Sequence, residues 1–187
     1  MKKYFAIFLL VSVVVPAFAA DTYTIDPGFS RANFDITRLG FSSQRGSFNK
    51  TSGTITLDLA AKTGSVEFTI NTKSIDMGSA AWTNHLSDEG LFNVKKYPTM
   101  HFKSEKLIFD DAKVVAAQGQ FTMLGVTKPL RVTVNNFQCG LSPIDQRSMC
   151  SGNINALLKR SDFGLTKYIP AVSDEVSIEV PVDAYKN

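Results

Sequence analysis

Along most of the chain, apolar residues recur at every second position, the period of a strand with one face buried. The clearest case is FTMLGVTKPLRVTVNNF, residues 121–137, where Phe121, Met123, Leu130, Val132 and Val134 are interleaved with Thr122, Arg131, Thr133 and Asn135. Gly125, which takes φ > 0 without steric cost, and Pro129, which lacks a ladder donor, fall between the two runs. They predict strand, short loop (125–129), strand: an antiparallel hairpin with one apolar face. The same alternation sets Ala32, Phe34 and Ile36 against Asn33, Asp35 and Thr37, then Ile55, Leu57 and Leu59 against Thr54, Thr56 and Asp58. It continues with Val66, Phe68, Ile70 and Thr72, with Met100, Phe102 and Ser104, with Ile154, Ala156 and Leu158, and with Val176, Ile178, Val180 and Val182. Residues 38–48, RLGFSSQRGSF, carry two glycines and several serines and predict a bent strand or a bulged corner. Only residues 78–94 break the rhythm: Trp82, Leu86, Leu91 and Phe92 lie at roughly helical spacing and predict one or two short helices.

About eight or more short strands with almost no helix predict a sandwich or an antiparallel barrel. The barrel is favoured, because strand after strand has one apolar and one polar face, and closure uses such strands without leaving edges exposed. The expected class is therefore all-β, an extended antiparallel β-barrel of about eight strands with one short helical segment. An apolar strand face can line a filled core or a cavity, and alternation is compatible with both. The 14 phenylalanines, many in the apolar phase, suit either.

The N-terminus changes the count. Lys2 and Lys3 precede an apolar run over residues 4–15, and Pro16, Ala17, Phe18 and Ala19 form a small-x-small site, the pattern of a secretory signal peptide cleaved after Ala19. The run is shorter than the roughly 20 residues of a membrane-spanning helix, so no membrane span is expected and the mature protein is expected to be exported, to the periplasm of a bacterium. Removing 19 of 187 residues leaves 168, residues 20–187, which fit one domain. Without Lys2 and Lys3, 18 basic residues face 17 acidic ones, and the formal charge falls from +3 to +1. Near neutrality and the lack of a dense basic cluster give no electrostatic case for nucleic acid or an anionic membrane surface. The two cysteines, Cys139 and Cys150, end strand-like runs around the turn-rich GLSPIDQRSM, and in an oxidising compartment they are expected to form a disulfide; a redox pair would more usually be spaced C-x-x-C.

Catalytic motifs are scarce. Two histidines, His85 and His101, cannot make a three-histidine zinc site, and there is no H-E-x-x-H, G-x-S-x-G, phosphate-binding loop or dinucleotide fingerprint. No metal or cofactor is expected. His101 reads as an outward strand residue, while His85, beside Trp82 and Leu86, is a candidate cap or gate at a barrel mouth.

Four segments in order resemble the YceI-like family: YTIDPGFSRANFDI (23–36), HLSDEGLFNVKKYPTMHFKS (85–104), LGVTKPLRVTV (124–134) and KRSDFGL (159–165). Together they span nearly the whole mature chain. The resemblance implies a lipocalin-like barrel whose apolar tunnel holds a polyisoprenoid or a similar chain such as an isoprenoid quinone. Carried over residue by residue, the tunnel would be lined by Phe34, Ile36, Phe68, Ile70, Met100, Phe102, Phe121, Met123, Leu130, Val132, Ile154 and Leu158, and bordered by Trp82, Leu86 and Phe92. Where the family usually has histidines this chain has Phe29 and Arg38, and where it has Arg-Asp this chain has Trp82-Thr83, differences that bear on the ligand's head group rather than its chain. His85, Arg31, Arg38 and Arg160 are the head-group candidates; as arginines at a rim, the last three could equally be solvated or ion-paired.

The function expected from these readings is a non-catalytic periplasmic carrier or store for an isoprenoid-type lipid. The alternatives are a fatty-acid or fatty-amide carrier, an enzyme on a lipid substrate with His85 as base, and a filled barrel acting through its outer face. A homodimer stays open.

Overall fold

The computed structural model describes residues 20–187; the predicted signal peptide, residues 1–19, lies outside the described residues. Eleven strands form one antiparallel sheet: β1 (Asp21–Ile25), β2 (Ala32–Arg38), β3 (Ser42–Phe48), β4 (Thr51–Asp58), β5 (Thr63–Asn71), β6 (Ile75–Asp76), β7 (Thr99–Asp110), β8 (Lys113–Met123), β9 (Val126–Leu141), β10 (Ser148–Lys159) and β11 (Val172–Lys186). The one α-helix among the described residues is α1 (Ala80–Ser87). Eight strands close on themselves in the order β1-β4-β5-β7-β8-β9-β10-β11, with β11 returning to β1, so the barrel has no open edge along that circuit.

The barrel is lengthened at one end by a device built into β11. Its C-terminal part pairs with β1, from Ala184↔Ile25 to Lys186↔Tyr23, and its N-terminal part pairs with β2, from Val172↔Arg38 to Glu179↔Asn33. Between them the chain turns a corner at residues 26–31, where Asp26 Oδ1 accepts from the Gly28 amide at 2.7 Å and the buried Ser30 carbonyl accepts from the Thr51 hydroxyl. β2, β3 and β6 then carry the wall beyond the closed circuit. Residues 38–48 are thus neither a bent strand nor a bulged corner: they are the tip of a hairpin, at Leu39, Gly40 and Phe41, and its full return strand β3. The small and polar residues of β3 hid its strand character, because it faces a cavity and solvent rather than a packed core.

The hairpin of residues 121–137 is tighter than the spacing suggested. Leu124 (φ 51°) and Gly125 (φ 76°) form a two-residue turn between β8 and β9, the primed type whose twist matches flanking strands. Pro129 lies inside β9, opposite Gln120, where β9 has β8 as its sole strand neighbour and the missing amide is tolerated. Leu59, expected on the inner face, lies past the end of β4 and is exposed. Gly119 is required by packing: a Cβ there would collide with the Lys103 carbonyl, where β7 bulges against β8. Cys139 and Cys150 are directly opposed in β9 and β10 and are joined by a disulfide, Cα to Cα 4.0 Å, closing a short loop for about 2–3 kcal/mol.

Candidate functional site

The inner face of the barrel is not filled. Two chambers of about 560 Å³ and 130 Å³ run along its axis and share Ile70, Phe121 and Ile178 as common wall. The summed size falls within the roughly 300–1,000 Å³ of small-molecule pockets. Alternation along each strand sends one residue in two to this face. β10 contributes Ala156, whose small side chain leaves room that a larger residue would occupy.

The outer chamber receives Phe34, Ile36, Ile70, Trp82, Leu86, Phe92, Met100, Phe121, Met123 and Leu158; the inner chamber receives Phe68, Phe102, Leu130, Val132 and Ile154. The twelve residues expected on the tunnel wall and the three expected to border it therefore all face one chamber or the other. Several wall residues escaped the sequence reading. Phe48, Val176, Ile178, Met77 and Leu165 join the outer chamber, as do Lys167 and Tyr168. For Val176 and Ile178 the signal existed in the apolar phase of the last strand. For Lys167 and Tyr168 there was none, since their loop has no periodicity and the barrel mouth is assembled from distant parts of the chain.

Polarity is strongly graded along the axis. Apart from Tyr23 and Ser151 the inner chamber is lined by apolar residues, whereas Asn33, Gln44, Arg38, His85, Arg160, Lys167 and Tyr168 all lie on the outer one. Among the described residues no carboxylate lines either chamber. A chain entering apolar end first would leave its head among donors and positive charges.

The mouth is built from three segments. The first is the β2–β3 tip, tied by the Leu39 amide donating to the Ala171 carbonyl at 2.7 Å. The second is α1, an eight-residue helix none of whose residues is buried; its Thr83 hydroxyl accepts from the Met77 amide at 3.1 Å, and the turn after it sends Leu91 and Phe92 inward, Phe92 meeting the Phe48 ring edge-on at 5.3 Å. The third is the loop over residues 166–171. His85 and Tyr168 join the second to the third, His85 Nε2 lying 3.0 Å from the Tyr168 hydroxyl, with Trp82 stacked edge-on against His85 at 6.3 Å. His85 is thus at the mouth, while His101 points outward between Thr69 and Thr99.

The head-group candidates separate. Arg38 lines the outer chamber and makes no salt bridge among the described residues; Lys167, unnoticed in the sequence, does the same. Arg31 is exposed and lines neither chamber, because the inward phase of this segment belongs to its neighbour Ala32. Arg160 touches the outer chamber but is 4% exposed and committed elsewhere: its Nε donates to the Ser173 carbonyl, one terminal nitrogen to Leu165 and Lys167, and the other to Val172, all at 2.8–2.9 Å. Burial pushes its guanidinium below the ordinary arginine range, with Asp174 opposing the shift. Arg160 is accordingly the clamp of the mouth loop rather than a free hand for a ligand.

Asp174 completes this corner. The Ser161 hydroxyl and amide donate to its two oxygens at 2.6 and 2.8 Å and hold its carboxyl below the usual carboxylate range, with Arg160 adding to the effect. A carboxyl lowered on folding stabilises fully above its unfolded value, about pH 4, and that contribution is lost as the pH falls through the folded value. Urea unfolding followed from neutral pH down to about pH 3 should therefore show a stability loss that Asp174→Asn makes shallower.

Comparison with known proteins agrees with this architecture. A family model described as YceI-like domain matches residues 23–184. A UPF0312 protein of Vibrio cholerae is 31% identical over 189 residues, covering 98% of each chain. The crystal structure of Burkholderia cenocepacia BcnA superposes with a TM-score of 0.71 at 23% identity, covering 85% of this chain and 98% of that one. A polyisoprenoid binding domain from Saccharophagus degradans superposes with a TM-score of 0.64 at 16% identity, covering 88% and 98%. The family model matches from the first strand to the last and the Vibrio cholerae relative aligns over nearly its whole length, so the chain belongs to the YceI-like family.

Proposed function

We propose that this protein is a non-catalytic carrier or store for a polyisoprenoid or isoprenoid-quinone type of lipid, working in the periplasm. The observation that carries the reading is the pair of apolar chambers on one axis, with every charged lining residue at one end. Burial of each methylene is worth about 0.8 kcal/mol, so a long chain binds such a tunnel tightly with few polar contacts, and a protein enclosing it lets it cross water. The donors at the mouth suit a head group rich in acceptor oxygens, such as a quinone. The polyisoprenoid binding of the Saccharophagus degradans domain, a neighbour in fold, supports the same ligand class. The disulfide suits an oxidising compartment.

The cations Arg38 and Lys167, with no carboxylate beside them in the lining, favour a second reading in the same tunnel: a fatty acid with its carboxylate at the mouth. Organic extraction of the purified protein followed by mass spectrometry distinguishes the two. An extracted isoprenoid supports the first, a fatty acid the second; no apolar molecule, together with no uptake of a quinone or fatty acid by the stripped protein, rejects both. His85→Ala should keep ligand, since its Tyr168 bond is a mouth contact; turnover of a bound lipid that vanishes in this variant would indicate an enzyme instead.

A further inference from the structure

We propose that the mouth of the barrel docks on a lipid bilayer, with the β2–β3 tip as the inserted point. Ten large hydrophobic residues are exposed among the described residues, and five of them, Leu39, Phe41, Trp82, Tyr168 and Ile169, sit on the three segments that frame the mouth. Phe41 is 96% exposed, so its ring is left unburied by the described residues. Leu39, Trp82 and Tyr168 also line the outer chamber, so exposed hydrophobic residues of the rim belong to the cavity wall as well. The three segments are one unit: the Leu39–Ala171 backbone bond ties the tip to the loop, and the His85–Tyr168 bond ties the loop to α1.

Composition decides what covers this patch. Aromatic side chains with apolar bodies and polar edges, flanked by Arg38 and Lys167, which make no salt bridge among the described residues, are the groups that settle at a bilayer interface, rings among the acyl boundary and charged heads at the phosphates. The net charge of the exported chain is small, so insertion of apolar side chains supplies most of the affinity and the two cations only bias it towards anionic lipid. The placement also has a use: a chain leaving the bilayer under a seated mouth would meet protein rather than water at each step. This goes beyond the carrier reading and can fail independently of it.

The test uses residues 20–187, which hold the whole barrel, with vesicles of phosphatidylethanolamine and phosphatidylglycerol in flotation assays. Trp82 is the sole tryptophan, so its emission reports the mouth directly. Flotation with the vesicles and a blue shift of Trp82 are expected. Phe41→Asp, at a residue outside the cavity lining, should lower the bound fraction about tenfold, given what exposing one phenylalanine ring to water costs, while uptake of a quinone offered in detergent solution stays unchanged. Ile144→Asp, at an 83% exposed residue of the β9–β10 loop, should leave flotation unchanged. No flotation, or an equal loss in the Ile144 and Phe41 variants, overturns the proposal. So does a dimer that Phe41→Asp dissociates in the absence of vesicle binding, which would make a second copy the occupant. A protein that takes up quinone yet never floats rejects docking and leaves the carrier reading standing.

Discussion

Arg160→Met is expected to destabilise the protein by about 3–5 kcal/mol and to release the loop that forms one wall of the mouth. The guanidinium satisfies the carbonyls of Leu165, Lys167, Val172 and Ser173 from a position almost closed to solvent. A buried carbonyl left without a donor costs about 1–3 kcal/mol, and water can reach part of this set because Lys167 is exposed and Val172 and Ser173 are only half-buried, which brings the total below a simple sum. Arg160→Lys should recover only a part, since an ammonium cannot reproduce a planar fork reaching four acceptors. Urea denaturation measures the loss of stability, and amide hydrogen exchange over 165–173 measures the release. A change below about 1 kcal/mol in the Met variant would show that the clamp is dispensable. Because Tyr168 lies on the same loop, its bond to His85 should weaken as well, widening the mouth.

The second large effect concerns ligand length. Ala156→Phe is expected to fill the inner chamber and leave the outer one open, because Ala156 lines the 130 Å³ space and is not part of the 560 Å³ one. A ligand long enough to pass Ile70, Phe121 and Ile178 would lose the burial of its distal end. At about 0.8 kcal/mol per methylene, losing four methylenes weakens binding roughly two-hundredfold. A short-chain analogue that ends in the outer chamber should bind as before. Titrating a series of quinones or fatty acids of increasing length against both proteins reads the effect. The affinity gain per added carbon should continue in the native protein and stop early in the variant. Equal loss for short and long chains would mean that the substitution disturbs the barrel, and thermal unfolding of the variant would reveal it.

The contrast between these two sites shows what could be read before folding. The period-two pattern identified the strands and their inward residues, because side chains on a strand must alternate and a buried face must be apolar. It placed Phe34, Phe68, Phe102 and Phe121 on one surface before that surface had a shape, and family resemblance named the same residues as tunnel wall. β3 carries no such signal because its residues are small and polar, and the β8–β9 turn is shorter than Pro129 suggests because a proline is tolerated within a strand where a neighbouring strand is absent.

By itself, then, the sequence determined an all-β chain with one helical interruption, the direction of each apolar face and the pairing of its two cysteines. Those properties are local or follow from a single hairpin. The tertiary structure alone decided that the apolar faces enclose space instead of meeting, since that depends on strand number and closure. It also decided the charges at the mouth. Arg31, Arg38 and Arg160 look alike in a sequence, yet one lies outside, one faces the chamber and one is held by four carbonyls, because residues distant along the chain meet only when β11 bridges the two halves of the wall.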